Sequence, residues 1–297
     1  MVGQRRETVE TLWRTERLMD QYRFGNGDGA VIYERAGKVV SLILDRPDKL
    51  NALTIQQMQG LREALLKFDG DDEGWVAILS GNGRAFCTGV DVVQWQIADP
   101  SFMGKAEGQG RSVHSLMYGF ENWKPIIAAA HGYAVGAGLA LVLQADLSVV
   151  SEDIQMQITE VSRGLGDQQF WRKISCFGAS AFATEVMLTG RFFTGKEAAN
   201  AGVVTAAVDA GTHLEAAHAL AEEVLKNPPL SVRSVVRARR YYMQSDEAQA
   251  GLLTEAWKLH LTEDFRTNAQ AFAESRGESA GSQAGGVVSA YPEQEAE

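Results

Sequence analysis

Leu79-Ser-Gly-Asn-Gly-Arg-Ala-Phe-Cys-Thr-Gly-Val-Asp91 ends an apolar, β-rich run that begins at Trp75. Gly81, Gly83 and Gly89 punctuate it; lacking a Cβ, glycine lets the backbone turn tightly and come close to a ligand. Asp91 is placed to cap whatever follows. One such strand-to-loop transition is common. A second glycine-spaced loop, Gly132-Tyr-Ala-Val-Gly-Ala-Gly-Leu-Ala140, also follows an apolar run, Ile126 to Ala130. Two loops that each present a backbone N–H supply the parts of an oxyanion hole.

The surrounding composition is that of a globular chain, with 45% hydrophobic and 22% charged residues. Its 297 residues hold one large domain or two small ones. A net charge of −10 argues against nucleic acid or an anionic membrane surface as partner, yet leaves room for a local basic site. Only Cys87 and Cys176 occur, too few for a disulfide framework, which points to a reducing compartment. No apolar run approaches membrane-spanning length. Charges stand where a signal peptide needs its apolar core, so a cytoplasmic protein is expected. His and Cys are scattered without ligand spacing, so no metal site is expected.

Outward from the two loops, the chain punctuates itself. Glu7 to Phe24 carries Val9, Leu12, Trp13, Leu18 and Tyr22 on one side, which predicts a helix broken by Gly25-Asn-Gly-Asp-Gly29. Strands are expected at Val31–Glu34 and Val39–Leu44 about an Ala36-Gly37 turn. A helix follows from Thr54, its N-cap, to Phe68, with Met58, Leu61, Leu65 and Phe68 at helical spacing. By spacing alone Lys49 and Asn51 lie in a solvated turn. Pro100 to Gly110 reads as a loop and Ser112 to Asn122 as a helix, with His114 a surface or packed histidine. Gly136-Ala137-Gly138 opens a helix to Gln144, whose first N–H groups have no intrahelical partner and sit at the positive end of the macrodipole. Strands at Asp146–Val150 and Ile154–Ile158 precede helices at Ala179–Thr189, Leu214–Lys226, Leu230–Met243 and Glu247–Glu274. Gly277 to Glu297 reads as a disordered tail. Cys87 has no histidine near it in sequence and reads as small-residue filler; His131 reads as structural. Arg239 and Lys258 could reach phosphates, but solvated faces are commoner for such residues.

Leu44-Asp-Arg-Pro-Asp-Lys-Leu-Asn-Ala-Leu53, Arg84-Ala-Phe-Cys-Thr-Gly-Val-Asp91, the Gly136-Ala137-Gly138 loop and Leu188-Thr-Gly-Arg-Phe-Phe-Thr-Gly-Lys-Glu-Ala-Ala-Asn-Ala-Gly-Val-Val204 together resemble the crotonase, or enoyl-CoA hydratase/isomerase, superfamily over roughly residues 30–275. The resemblance implies an α/β crotonase (ClpP/crotonase-like) fold of repeated ββα units with a helical C-terminal region. It divides the chain into an N-terminal extension (1–27), a core (28–210), a helical trimerisation region (211–276) and a tail (277–297). It implies homotrimers, often paired into hexamers, and a coenzyme A thioester as substrate, with no tightly bound cofactor. The Val90 and Ala137 N–H groups become the two oxyanion donors, and Lys49, Ala52, Ala85, Phe86, Gly89, Asp91 and Gly136 fall along the bound CoA thioester.

Two departures bear on the reaction. Hydratases of the family carry one of two catalytic glutamates where this chain has Ala140. Glu160, twenty residues later, matches the second and is the general-base candidate. Where the family has Gly-Leu-x-Pro and a glycine pair, this chain reads Gly164-Leu-Gly-Asp-Gln-Gln-Phe-Trp-Arg172. Asp167 there either caps a helix or serves as a second acid/base. A lone carboxylate with an apolar residue at the first position resembles the family's Δ3,Δ2-enoyl-CoA isomerases. The alternatives are an enoyl-CoA hydratase or related lyase on an unusual acyl group, and a non-catalytic CoA-binding homologue.

Overall fold

Parallel strands are buried on both faces, so they read as unbroken apolar runs; Ile126–Ala130, buried at all five positions, is the middle strand of the parallel part of this chain's sheet. The structure, a computed structural model, describes residues 18–25, 29–91, 123–166, 168–257, 259, 262–265, 267–268 and 271. Strands β1 (Leu18–Phe24), β2 (Ala30–Ala36), β3 (Val39–Asp45), β4 (Val76–Gly81) and β5 (Ile126–Ala130) lie side by side in that order, continued by β7 (Leu147–Ser151) and β10 (Ala206–Val208). The pairs from β1 to β3 are antiparallel and those from β3 onward parallel. A second sheet sets β6 (Tyr133–Val135) parallel to β8 (Gln155–Gln157), which pairs antiparallel with β9 (Phe193–Thr194).

Helices cover both faces of the large sheet. Leu61, Ala64, Leu65 and Phe68 of α1 (Ile55–Gly70) join Val40, Leu42, Leu44, Ala77 and Leu79 in the main core. The alternate residues Val39, Val76, Ile78, Ile127 and Val149 pack against Ala217 and Ala221 of α6 (His213–Leu225). Thr54 caps α1 by accepting from the Gln57 N–H at 3.0 Å, which satisfies one of the helix's orphan donors. The remaining helices are α2 (Ala137–Gln144), α3 (Gln168–Cys176), α4 (Ser180–Thr189), α5 (Gly195–Asn200) and α7 (Pro229–Trp257).

Three sequence expectations need correction. Residues 18–24 are strand, not the end of a helix: β1 adds an antiparallel edge to β2. Phe24 gives its carbonyl to the notch at Gly60, where a Cβ would come within 2.9 Å of it. The tertiary partner overrides a weak helical period; the remainder of that expected helix lies outside the described residues. The two helices expected at 230–243 and from 247 are one, since α7 runs unbroken through Gln244–Asp246. No glycine or proline interrupts it there, and Arg172 of α3 grips Asp246 at 2.7 Å. Arg239 does not stand on a solvated face: with Arg240, 1% exposed along its side chain, it pairs with the buried Asp146, which also accepts from the Ile126 N–H at 2.9 Å. The expected 100–110 loop, 112–122 helix, Lys258 and the tail from 277 lie outside the described residues.

Candidate active site

The two glycine loops interlock. The Phe86 N–H donates to His131 O at 2.9 Å, Cys87 N–H to Tyr133 O at 3.0 Å, and Val135 N–H to Cys87 O at 3.0 Å. Only glycine fits the crossings. A Cβ on Gly132 (φ +64°) would lie 2.0 Å from Arg84 O, and one on Gly138 would lie 2.2 Å from Cys87 O. A Cβ on Gly89 would lie 3.5 Å from the Ala137 nitrogen, so the Gly89–Val90 segment runs directly beside the first residue of α2.

The orientation of the Val90 N–H follows from its neighbours. Val90 bridges Leu53 in parallel: Leu53 N–H donates to Gly89 O at 2.7 Å, and Asp91 N–H donates to Leu53 O at 2.9 Å. Gly89 C=O and Val90 N–H belong to one trans peptide, so a carbonyl turned toward Leu53 sends the N–H the other way. Ala137 is the first residue of α2, where N–H groups have no intrahelical partner.

Spacing alone puts Lys49 and Asn51 in a solvated turn; at Asn51 the structure differs. Asn51 is wholly buried with φ +54°, a left-handed conformation that asparagine tolerates better than most residues. Its Oδ1 accepts from the Arg46 N–H at 2.8 Å, and its Nδ2 donates to Asn82 O at 2.9 Å and Ala85 O at 2.8 Å. Arg46 sends Nη1 to Ala52 O at 2.9 Å and to Asp91 Oδ2 at 2.8 Å. Sequence reasoning missed both residues: an asparagine amid turn formers looks solvated, and the partner of Arg46 lies 45 positions away. Lys49 stands exposed at the end of a short 3₁₀ turn, Pro47–Lys49. Ala85 and Phe86 have no exposed surface and Ala52 is 4% exposed, so in this chain they shape the loop from within. The Asp91 carboxylate is engaged by Arg46.

The second loop leads to Glu160. Gly136 N–H donates to Gln157 O at 3.0 Å, tying the start of α2 to β8, and Glu160 follows β8 by three residues. A Cβ on Gly136 (φ +51°) would lie 3.2 Å from Thr159 Oγ1 and 3.6 Å from Glu160 Oε1. The Glu160 carboxyl therefore sits over the residue immediately before Ala137. The backbone is pinned as well, Glu160 O accepting from Arg163 N–H at 3.1 Å and Leu165 N–H at 2.8 Å. Ala140, one helical turn into α2, is 1% exposed and brings no polar atom. Behind Glu160, Gly166 packs against Leu259 and the Gln168 amide, and Gly164 against Asp264–Phe265. Asp167 lies outside the described residues.

Cys87 and His131 hold the loops. Burial pushes the Cys87 thiol up to about 12, which removes it as a nucleophile at neutral pH. His131 Nε2 meets Gly83 O at 2.8 Å, and its ring stacks on His213 at 4.5 Å between centroids. Burial lowers the His213 pKa to about 4, with repulsion from His131 adding to it and Asp153 opposing. Among the described residues no group of three or more His, Cys, Asp or Glu is arranged to hold a metal, and no helix is long and apolar enough to cross a membrane.

The sequence profile of the enoyl-CoA hydratase/isomerase family matches residues 34–280. A mevalonyl-coenzyme A hydratase of Aspergillus fumigatus is 28% identical over 254 residues, covering 80% of this chain and 89% of that protein. An (E)-benzylidenesuccinyl-CoA hydratase of Thauera aromatica is 31% identical, over 83% of this chain and 96% of that protein. The crystal structure of a carnitinyl-CoA hydratase from Mycobacterium avium superposes with a TM-score of 0.69 at 31% identity, over 82% of this chain and 95% of the other.

Proposed function

The chain belongs to the enoyl-CoA hydratase/isomerase family and has its α/β crotonase fold; from that premise we propose that it isomerises 3-enoyl-CoA thioesters to 2-enoyl-CoA with Glu160 as the single acid/base. As an acyl-CoA enzyme of this family it works on a thioester whose carbonyl oxygen gains negative charge when a C2 proton leaves. The Val90 and Ala137 N–H groups take the oxyanion roles. Loss of one such donor costs about 2.7–4 kcal/mol of barrier in other enzymes, and both donors are backbone groups, independent of side-chain identity. Glu160 removes the C2 proton as the electron pair moves onto the carbonyl oxygen. The enolate then collapses: the carbonyl re-forms, the double bond moves from C3–C4 to C2–C3, and C4 takes the proton back from Glu160. One carboxylate suffices because the proton is returned.

The observation that carries this reading is the pairing of Glu160 Oε1, 3.6 Å from the Gly136 Cβ position, with the apolar, buried Ala140 on the same helix start. Hydration would need an activated water as well as a proton for the α-carbon. A second reading, a hydratase or related lyase, is favoured by the relatives, which are named hydratases. Incubation with a trans-3-enoyl-CoA and mass-resolved product analysis separates the two. A conjugated product of unchanged mass that disappears in Glu160→Gln supports isomerisation. A product one water heavier, formed from 2-enoyl-CoA as well, supports the second reading and turns attention to Asp167. Isomerisation that persists in Glu160→Gln overturns the assignment of the base.

A further inference from the structure

Arg46 is joined to the first oxyanion loop through two peptide units in series. Its Nη1 donates to Ala52 O at 2.9 Å. Ala52 C=O and Leu53 N–H are the two ends of one peptide, and that N–H donates to Gly89 O at 2.7 Å. Gly89 C=O and Val90 N–H are the two ends of the next. A cation at the head of such a chain polarises each peptide in turn, and hydrogen bonds in series strengthen one another. Burial sharpens the effect: the Arg46 side chain is 6% exposed and that of its counter-ion Asp91 16%. The same nitrogen reaches Asp91 Oδ2 at 2.8 Å, so the guanidinium also staples the Leu53 and Val90 segments on either side of their bridge.

We propose that Arg46 is a positioning and polarising residue for the Val90 N–H, acting through the Ala52–Leu53 and Gly89–Val90 peptides. Arg46 touches no substrate atom; its influence arrives at the thioester oxygen only through Val90. The inference rests on the reading of Val90 as an oxyanion donor, and Asp91 becomes the anchor of the guanidinium instead of a ligand to CoA. A buried ion pair is weak evidence for stability, and here the geometry supplies a functional reason for it.

The test reads carbonyl polarisation directly. 4-(Dimethylamino)cinnamoyl-CoA absorbs at longer wavelength when hydrogen-bond donors polarise its thioester carbonyl. The wild-type chain should red-shift the bound probe, Arg46→Lys should keep most of the shift, and Arg46→Met should lose most of it. With a turned-over enoyl-CoA, kcat of Arg46→Met should fall on the order of ten- to a hundredfold, the scale expected from small misplacement of a reacting group, while KM changes little. Because Arg46→Met leaves the largely enclosed Asp91 carboxylate without this cation, the double variant Arg46→Met/Asp91→Leu removes the pair together and should keep the fold; it too should lose the shift. A full red shift and unchanged kcat in the folded Met-containing variants overturn the proposal while the oxyanion reading stands. Absence of any red shift in the wild-type chain overturns both.

Discussion

The two sides of the site are built by opposite means. The proposed oxyanion side is backbone held by backbone: loops 81–91 and 132–138 cross at distances only glycine permits, and buried Asn51 and Arg46 tie a third segment to them. The proposed acid/base side is one carboxylate on a short turn after β8, standing over Gly136, with Leu259, Asp264 and Phe265 packed behind its 164–166 turn. In the proposed roles, the first side would suit any reaction that passes through a thioester enolate, and the second would select which one, because proton delivery depends on which carboxylates are present. A family can therefore keep one half and vary the other, and a substitution teaches different things on each.

Glu160→Gln breaks the second side alone. General-base loss is worth on the order of 10²–10⁴ in rate; turnover should fall by that factor while the thermal midpoint stays within a degree or two of wild type. A large fall in midpoint would mean that Glu160 holds the fold together, not the chemistry.

Gly138→Ala breaks the first. Helix propensity favours alanine by about 0.5–1 kcal/mol, but its Cβ would meet Cys87 O at 2.2 Å, and forcing atoms into a packed site costs about 1–3 kcal/mol or more. Net destabilisation with lost turnover is expected in denaturant melts. Gly70→Ala, with nothing within 4 Å of its Cβ, should be near neutral. Equal effects at the two positions would show that the loop crossing is slack.

The His131–His213 stack gives the loop side a pH dependence. His213 is held near 4 in the fold by burial against about 6.5 unfolded. Between those values the unfolded chain binds more protons, so stability falls as pH drops from about 6.5 to 4 and levels off below. The loss should be on the order of 1–3 kcal/mol, after allowance for partial solvent screening. His213→Phe, which keeps the ring stack, should flatten that slope. The smallest effect is chemical: iodoacetamide at neutral pH should label exposed Cys176 and spare buried Cys87, whose thiol stands near 12. Early labelling of Cys87 would mean that the loops open.

Much of this site was legible because its signals are local. Strand β3, helix α1 with its Thr54 cap, α2 behind Gly136 and the end of α4 at Gly190 (φ +60°) follow from periodicity and from residues acting within one turn of themselves. Glu160 was found only through the family resemblance, in which its position matches the second glutamate; composition gives it no distinction. Asn51 was misread because its burial is imposed by a loop thirty-one and thirty-four residues away. The run 18–24 was misread because a strand's partner does not appear in its own sequence.

The sequence by itself determined both glycine loops, the absence of a carboxylate at 140 and the presence of one at 160, and the family resemblance its motifs carry implied the α/β class. The loops are properties of residue type and short spacing, set by the steric needs of a few neighbouring peptides. Only the tertiary structure decided that Arg46 would reach Asp91, that Asn51 would be swallowed by the loop it holds, and that Glu160 would stand over Gly136. Each is a meeting of segments distant along the chain, and the packing of sheets and helices, not any local preference, brings them within hydrogen-bonding reach.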